Sequence, residues 1–211
     1  GLRGRATSIS TSPGAATMSV PATRVEEGFV LMGHATRFPG KFEAVWRGRR
    51  VIDRAVESVL AAGLRATIVS TRPFASSPAP VRLDPFDRGP LGGLRAILKD
   101  REGGPFFLTG ADMPQVQLSA VHRLIELAAP GVSVVPRWSD GTLEVLHAIY
   151  DPPVEEVVRF WEGRRSLRDL VRELGAGGRA RFVAAEEFDP ATFADIDTVE
   201  DLERLRSGPA P

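Results

Sequence analysis

Cysteine does not occur among the 211 residues of the sequence. Disulfides and thiolate zinc sites are thereby excluded, which fits a reducing compartment. Net charge is absent as well, since 27 basic side chains stand against 27 acidic ones. Without a global field, neither nucleic acid nor an anionic membrane surface is an expected partner. Nor does any apolar run reach the roughly 18 residues that a bilayer span needs. A cytoplasmic protein is expected, and nothing in the sequence sets its oligomeric state.

What is present is a chain long enough to bury one sizeable core. Residues 1–24 are rich in Ser, Thr, Ala, Gly and Pro, and no acid precedes Glu26. Such a composition buries too little apolar surface to fold by itself, so a flexible extension is expected there and a folded domain over residues 25–207. Phe29–Met32 reads as a buried strand, Val51–Leu60 as an amphipathic helix ended by Gly63, and Ala66–Ser70 as a second strand. A Pro- and Ser-rich loop follows, then a short strand at Val81–Leu83, a helix at Leu91–Leu98 and a strand at Phe106–Leu108. A helix through Val121–Ala128 precedes strands at Val132–Val135 and Val145–Tyr150. Helices at Val154–Trp161 and Ser166–Leu174, a strand at Arg181–Ala184 and a helix from Thr198 complete the chain. Ser166 with Asp169, and Thr198 with Asp201, have capping-box spacing. This order predicts a three-layer α/β/α fold with a mainly parallel sheet.

Sheets of this kind bind ligands beyond the carboxyl ends of their strands. The first such end is FVLMGHATRFPGK, Phe29–Lys41, an apolar strand followed by a glycine-bounded loop with Arg37 and Lys41. Backbone N–H groups freed by glycine, with cations beside them, suit an anion such as phosphate. The loop is not a Walker loop: six residues separate Gly33 from Gly40, and Phe42 follows Lys41. In Gly110–Pro114 (GADMP), Asp112 follows a buried strand, where a carboxylate can hold Mg²⁺ or cap a helix starting at Pro114. In Asp195–Asp201 (DIDTVED), Asp195 and Asp197 are expected on opposite faces, one turned to the cleft as a metal ligand, the other capping the last helix. Gly89–Leu94 (GPLGGL) offers Gly92 and Gly93 for close backbone approach to a base or ribose, or for a plain turn.

The remaining polar groups read more plainly. His34 lies within the basic loop and can touch phosphate, His122 is expected at the surface, and His147 in VLHAIY is expected to be a satisfied structural histidine. Arg47–Arg50 reads as a solvated turn. Arg164, Arg165, Arg168 and Arg172 read as the exposed side of an amphipathic helix.

Taken in order, these segments resemble the MobA-like nucleotidyltransferases, whose best-known members are the molybdenum-cofactor guanylyltransferases. The family pattern LAGGxSxRMGxxK stands here as LMGHATRFPGK, GPLAG as GPLGG, and DxP as ADMP. PLHAxY stands as VLHAIY, a helix similar to RSLRDL runs from Arg165 to Leu170, and NINTPEDL or DIDTPEDL stands as DIDTVEDL. The resemblance runs from about Val30 to Leu205. It implies a Rossmann-like nucleotidyltransferase fold that binds a nucleoside triphosphate, GTP being favoured. A phosphorylated acceptor such as molybdopterin then attacks the α-phosphorus and pyrophosphate leaves, with Mg²⁺ as cofactor. By match to the motifs, Leu31, Met32, Gly33 and His34 lie along the nucleotide. Lys41 neutralises phosphate, and Arg37 steadies the leaving pyrophosphate. Asp84, with Asp87 as the alternative, contacts the nucleotide, and Gly92 and Gly93 border the base. Asp112 carries Mg²⁺ with Asp195 or Asp197. Arg37, Lys41 and Asp112 are thus the implied catalytic set.

The chain departs from the pattern at its opening loop. His34 stands where the family has its second glycine, the loop to Lys41 is two residues shorter, and Pro39 stiffens it. DIDT is similar to the cytidylyltransferase-type relatives, and TRFPGK to the sugar-phosphate nucleotidyltransferases. A cytidylyl or sugar-phosphate transferase, or a nucleotide-binding protein without turnover, are the alternatives these departures raise.

Overall fold

The computed structural model describes residues 24–34 and 36–207, so the expected N-terminal extension lies outside the described residues except for Arg24. The elements in chain order are β1 (Glu27–Met32), a hairpin of β2 (Val45–Trp46) and β3 (Arg49–Arg50), α1 (Val51–Ala61), β4 (Arg65–Ser70) and β5 (Val81–Leu83). Next come α2 (Gly89–Leu98), β6 (Phe106–Gly110), α3 (Leu118–Glu126), β7 (Ser133–Arg137) and β8 (His147–Tyr150). The chain continues through α4 (Val154–Glu162), α5 (Leu167–Ala176), β9 (Ala180–Ala184) and α6 (Val199–Ser207). Seven strands form one sheet in the order β5-β4-β1-β6-β8-β7-β9. β8 runs antiparallel to both neighbours, and the other pairings are parallel.

Strand β1 shows why the core has two halves. Its side chains alternate across the sheet. Val30 and Met32 join Ile52, Val56, Ile68, Phe107 and Val121 on one face, beneath α1 and α3. Phe29 and Leu31 join Leu94, Ile97, Phe106, Phe160 and Leu170 on the other, beneath α2, α4 and α5. Because helices cover both faces, all five residues of β6 are buried, with Thr109 the one polar side chain among them. The expected three-layer architecture is the observed one.

Several local expectations are corrected. Arg47 and Gly48 form the expected exposed turn, both at positive φ (49° and 75°), but Arg49–Arg50 continues it as the second strand of a hairpin. That pair of left-handed residues is the turn that matches the twist of two short strands. Pro114 does not start a helix; α3 begins at Leu118 with Gln117 at its N-cap, so Asp112 caps nothing. Gly92 and Gly93 sit inside α2 rather than in a turn before it. His147 is structural but not satisfied. Its ring lies edge-on between Phe107 (5.2 Å) and Phe193 (5.3 Å), and among the described residues neither nitrogen has a hydrogen-bond partner. Complete burial pushes its pKa down to about 3.

Candidate active site

The central position of β1 sets the site. The chain steps from β1 to β4 on one side and later returns to β6 on the other, which is the strand-order reversal where α/β sheets open a crevice. The three strands end nearly level, Met32 beside Ser70 and Leu31 beside Gly110. The loops that leave them enclose two adjoining pockets.

The first pocket is lined by Leu31, Met32, Gly33 and His34 from the end of β1, by Ser70 and Thr71 from the end of β4, and by Asp84, Asp87, Gly89, Gly93 and Asp112. Asp84 is buried, and its Oδ1 accepts the N–H groups of Phe86 (2.8 Å) and Asp87 (3.3 Å). Burial holds its carboxyl above the usual range against the pull of those hydrogen bonds. Two glycines let α2 approach this wall. A Cβ on Gly93 would lie 2.7 Å from Leu31 Cδ2, and one on Gly92 would lie 3.2 Å from Asp84 Oδ2. Gly93 lines the pocket, whereas Gly92 packs behind it against Asp84.

The second pocket is lined by His34, Thr36, Arg37, Phe38, Lys41 and Asp197. Lys41 Nζ donates to Asp112 Oδ2 at 2.6 Å and to Asp197 Oδ1 at 3.2 Å. Arg37 Nη1 donates to Asp197 Oδ2 at 3.4 Å. The Lys41 side chain is only 7% exposed. Burial alone would lower its pKa, but the Asp112 carboxylate and then Asp197 outweigh it, and the net shift is upward. Lys41 is therefore a fixed cation that joins segments 71 and 156 residues away in the chain.

Asp112 reaches this position because β6 ends in glycine. A Cβ on Gly110 would lie 2.6 Å from Asp112 Oδ1, so any larger residue would displace the carboxylate. The backbone of the same turn is tied on both sides: Ala111 N–H donates to Leu31 O (2.8 Å), and Ile196 N–H donates to Asp112 O (3.0 Å). Asp195 and Asp197 do not split between cleft and cap as expected. Two residues apart in extended chain, they share a side while Ile196 turns inward and is fully buried. The carboxyl of Asp195 is held above the usual range, by desolvation first and then by the carboxylates of Asp112 and Asp197. The cap of α6 is Thr198 with Asp201, whose Oδ2 also accepts the N–H of Asp197 (3.1 Å).

His34 sits across from Asp87, its Nε2 2.6 Å from Asp87 Oδ1. Sequence reasoning kept Asp87 only as an alternative to Asp84 and did not identify Ser70, Thr71, Gly110 or Ile196. A polar pair ending the apolar strand ATIVS was the signal available for Ser70 and Thr71. Nothing in the local pattern marks Ile196 as a peg.

Fold and pockets together define a nucleotidyltransferase of the α/β type. The chain belongs to the MobA-like NTP transferase domain family, whose profile matches residues 28–180. Among its relatives, a probable molybdenum cofactor guanylyltransferase of Methanosarcina acetivorans is 30% identical over 87% of this chain and 91% of its own length. Another of the same description, from Methanosarcina mazei, is 35% identical over 56% of this chain and 55% of its own. The crystal structure of molybdopterin-guanine dinucleotide biosynthesis protein A from Archaeoglobus fulgidus superposes with a TM-score of 0.70 over 85% of this chain and 96% of that one, at 22% identity. Among the described residues, no helix is long and apolar enough to cross a membrane.

Enzymes of this class use a divalent metal with their nucleotide, and the donor set here fits one. Among the described residues no three acidic or imidazole groups form a metal cage by themselves. Asp112 and Asp197 nevertheless already share one cation, Lys41 Nζ, with Asp195 beside them. One or two carboxylates completed by phosphate oxygens is the set that Mg²⁺ favours.

Proposed function

We propose that residues 25–207 transfer a nucleoside monophosphate from a nucleoside triphosphate, GTP in the first instance, to a phosphate of molybdopterin. The observation that carries this reading is the pair of joined pockets. One is mostly apolar and walled by glycines, which suits a nucleoside; the other is lined by Arg37 and Lys41, which suits a polyphosphate. The descriptions of the two Methanosarcina relatives support both the base and the acceptor.

In this reading an acceptor phosphate oxygen forms a bond to the α-phosphorus as the bond to the β-phosphate breaks, and pyrophosphate departs with the electron pair. The protein's work is positioning and charge neutralisation. Leu31, Met32 and Gly33 lie along the nucleoside, with Asp84 and Gly93 at its wall. Lys41 neutralises the triphosphate, His34 lies at its near end, and Arg37 steadies the pyrophosphate. Mg²⁺, held by Asp112 with Asp195 or Asp197, supplies a template and a charge sink for the triphosphate.

A thermal-shift series with GTP, CTP, UTP and ATP in Mg²⁺ tests the donor, followed by pyrophosphate release on adding molybdopterin. A ligand at about 100 times its Kd adds roughly 2.7 kcal/mol of stability. GTP is expected to give the largest shift. A larger shift with CTP would favour the cytidylyl reading that the DIDT motif raised, and binding without pyrophosphate release would favour a non-catalytic binder.

A further inference from the structure

We propose that Asp87, held in place by His34, accepts the ribose hydroxyls of the bound nucleotide and so selects ribonucleotides over deoxyribonucleotides. This rests on the nucleotide reading above.

The placement comes from His34. Among the described residues, His34 is the one that lines both pockets. If the base fills the first pocket and the phosphates the second, the sugar lies at this junction. Asp87 lines the first pocket and meets His34 there, with 2.6 Å between Nε2 and Oδ1. A carboxylate only accepts, so the imidazole must donate through Nε2. One oxygen of Asp87 is thereby fixed. The other has no partner among the described residues, and the side chain is 55% exposed at the pocket.

The chemistry of a ribose suits that oxygen. Its 2′ and 3′ hydroxyls are donors, and a carboxylate at the edge of a nucleoside pocket is a common partner for them in α/β folds. Asp84 fits the role less well. It is buried, its Oδ1 is occupied by two backbone N–H groups, and its Oδ2 faces Gly92 in the helix behind. Those same hydrogen bonds make Asp84 the support for its neighbour, because one of the two donors is the N–H of Asp87. They hold Asp87 with φ at +42°, a left-handed conformation that few residues other than glycine, Asn and Asp adopt readily.

The pair also gives a use to a side chain that the opening loop would otherwise carry as an obstruction. An exposed hydrogen-bonded pair of this kind adds little to folding stability. It does fasten the loop after β1 to the loop before α2, the two segments that flank a nucleoside. His34 is accordingly a positioning residue and Asp87 the one that touches substrate.

The test is calorimetric titration of wild type and variants with GTP and CTP and with their 2′-deoxy and 3′-deoxy forms. Wild type is expected to bind a ribonucleotide roughly 10- to 100-fold more tightly than at least one deoxy form, the range for a hydrogen bond to a charged group. Asp87→Gly, which suits the left-handed backbone, should bind the ribonucleotide as weakly as wild type binds that deoxy form. It should bind the deoxy form with unchanged affinity. Asp87→Asn, with a neutral acceptor, should fall between them and covers the case in which the glycine variant folds poorly. His34→Gln should keep most of the discrimination because it keeps a donor, whereas His34→Ala should lose part of it. Wild type that binds ribo and deoxy forms equally would overturn this assignment alone, as would full discrimination in both Asp87 variants. Wild type that binds no nucleotide would overturn the nucleotide reading and this one with it.

Discussion

The two pockets of the site are made from different material. The first, proposed for the nucleoside, is made by close approach: α2 comes against β1 because Gly93 carries no side chain, and its walls are Leu31, Met32 and buried Asp84. The second, proposed for the phosphates, is made by charge: Lys41, Arg37, Asp112 and Asp197 converge from three widely separated segments. The first should therefore respond mainly to volume, the Asp87 carboxylate at its edge apart, and the second mainly to charge. Substitutions that respect or cross that division are the means of testing it.

The largest effect is expected at Asp112. Asp112→Asn keeps the shape and an acceptor for Lys41 but removes the carboxylate proposed to hold Mg²⁺. Loss of one electrostatic group aimed at the reacting centre typically costs about 10²–10³ in turnover. A comparable fall in kcat is expected, with far-UV circular dichroism and the melting transition retained. Normal Mg²⁺-dependent turnover would move the metal elsewhere.

Lys41→Ala comes next. Hydrogen bonds to charged groups contribute about 1.5–3 kcal/mol, so triphosphate binding should weaken by roughly 10- to 100-fold. Binding of the bare nucleoside should be unchanged. Equal losses for both ligands, measured by calorimetry, would show that Lys41 supports the fold of both pockets rather than the charge of one.

Gly93→Val crosses the division from the other side. The added branches meet Leu31 Cδ2, already 2.7 Å from a Cβ at that position, and push it into the nucleoside pocket. Overpacking of about 1–3 kcal/mol is typical, and a loss of about tenfold is expected for nucleoside and triphosphate alike. A loss confined to the triphosphate would place the base somewhere else.

The smallest effect lies outside the site. His147 buries two nitrogens without partners, and an unmet buried polar group costs about 1–3 kcal/mol. His147→Phe should raise stability to urea by about 1 kcal/mol without changing nucleotide binding. It should also alter the response to acid. The folded-state pKa of about 3 lies below the ordinary 6.5, so between those values the unfolded chain holds more protons. Stability contributed by the neutral histidine is present above pH 6.5 and is lost as pH falls toward 3. The phenylalanine variant should show a flatter acid limb over that window. An unchanged limb would mean that His147 does not carry the dependence.

Much of this architecture was legible before any coordinates, because long apolar elements announce themselves by period. β1, β4, β6, α1 and α5 lie where their hydrophobic residues put them, and both capping boxes form as spaced. The short hairpin at Val45–Arg50 was not legible, since two-residue strands have no period. The site was legible as four segments but not as an arrangement. Asp84 and Asp87 are both acids in one loop, and only the tertiary structure tells that one is buried against α2 while the other meets His34. The same holds for His147, whose missing partners are set by residues 107 and 193, both far away in the chain.

Ile196 gives the acidic strand a property that neither carboxylate has. It is fully buried with Trp46, Val51 and Leu202, and its N–H is bonded to the Asp112 carbonyl. The apolar docking of this segment therefore rests on the middle residue, and the proposed metal binding on the two that flank it. Positions 195 and 197 can be varied in a library with the apolar anchor kept, so the ties of Asp197 to Lys41 and Arg37 could be probed apart from the burial of Ile196.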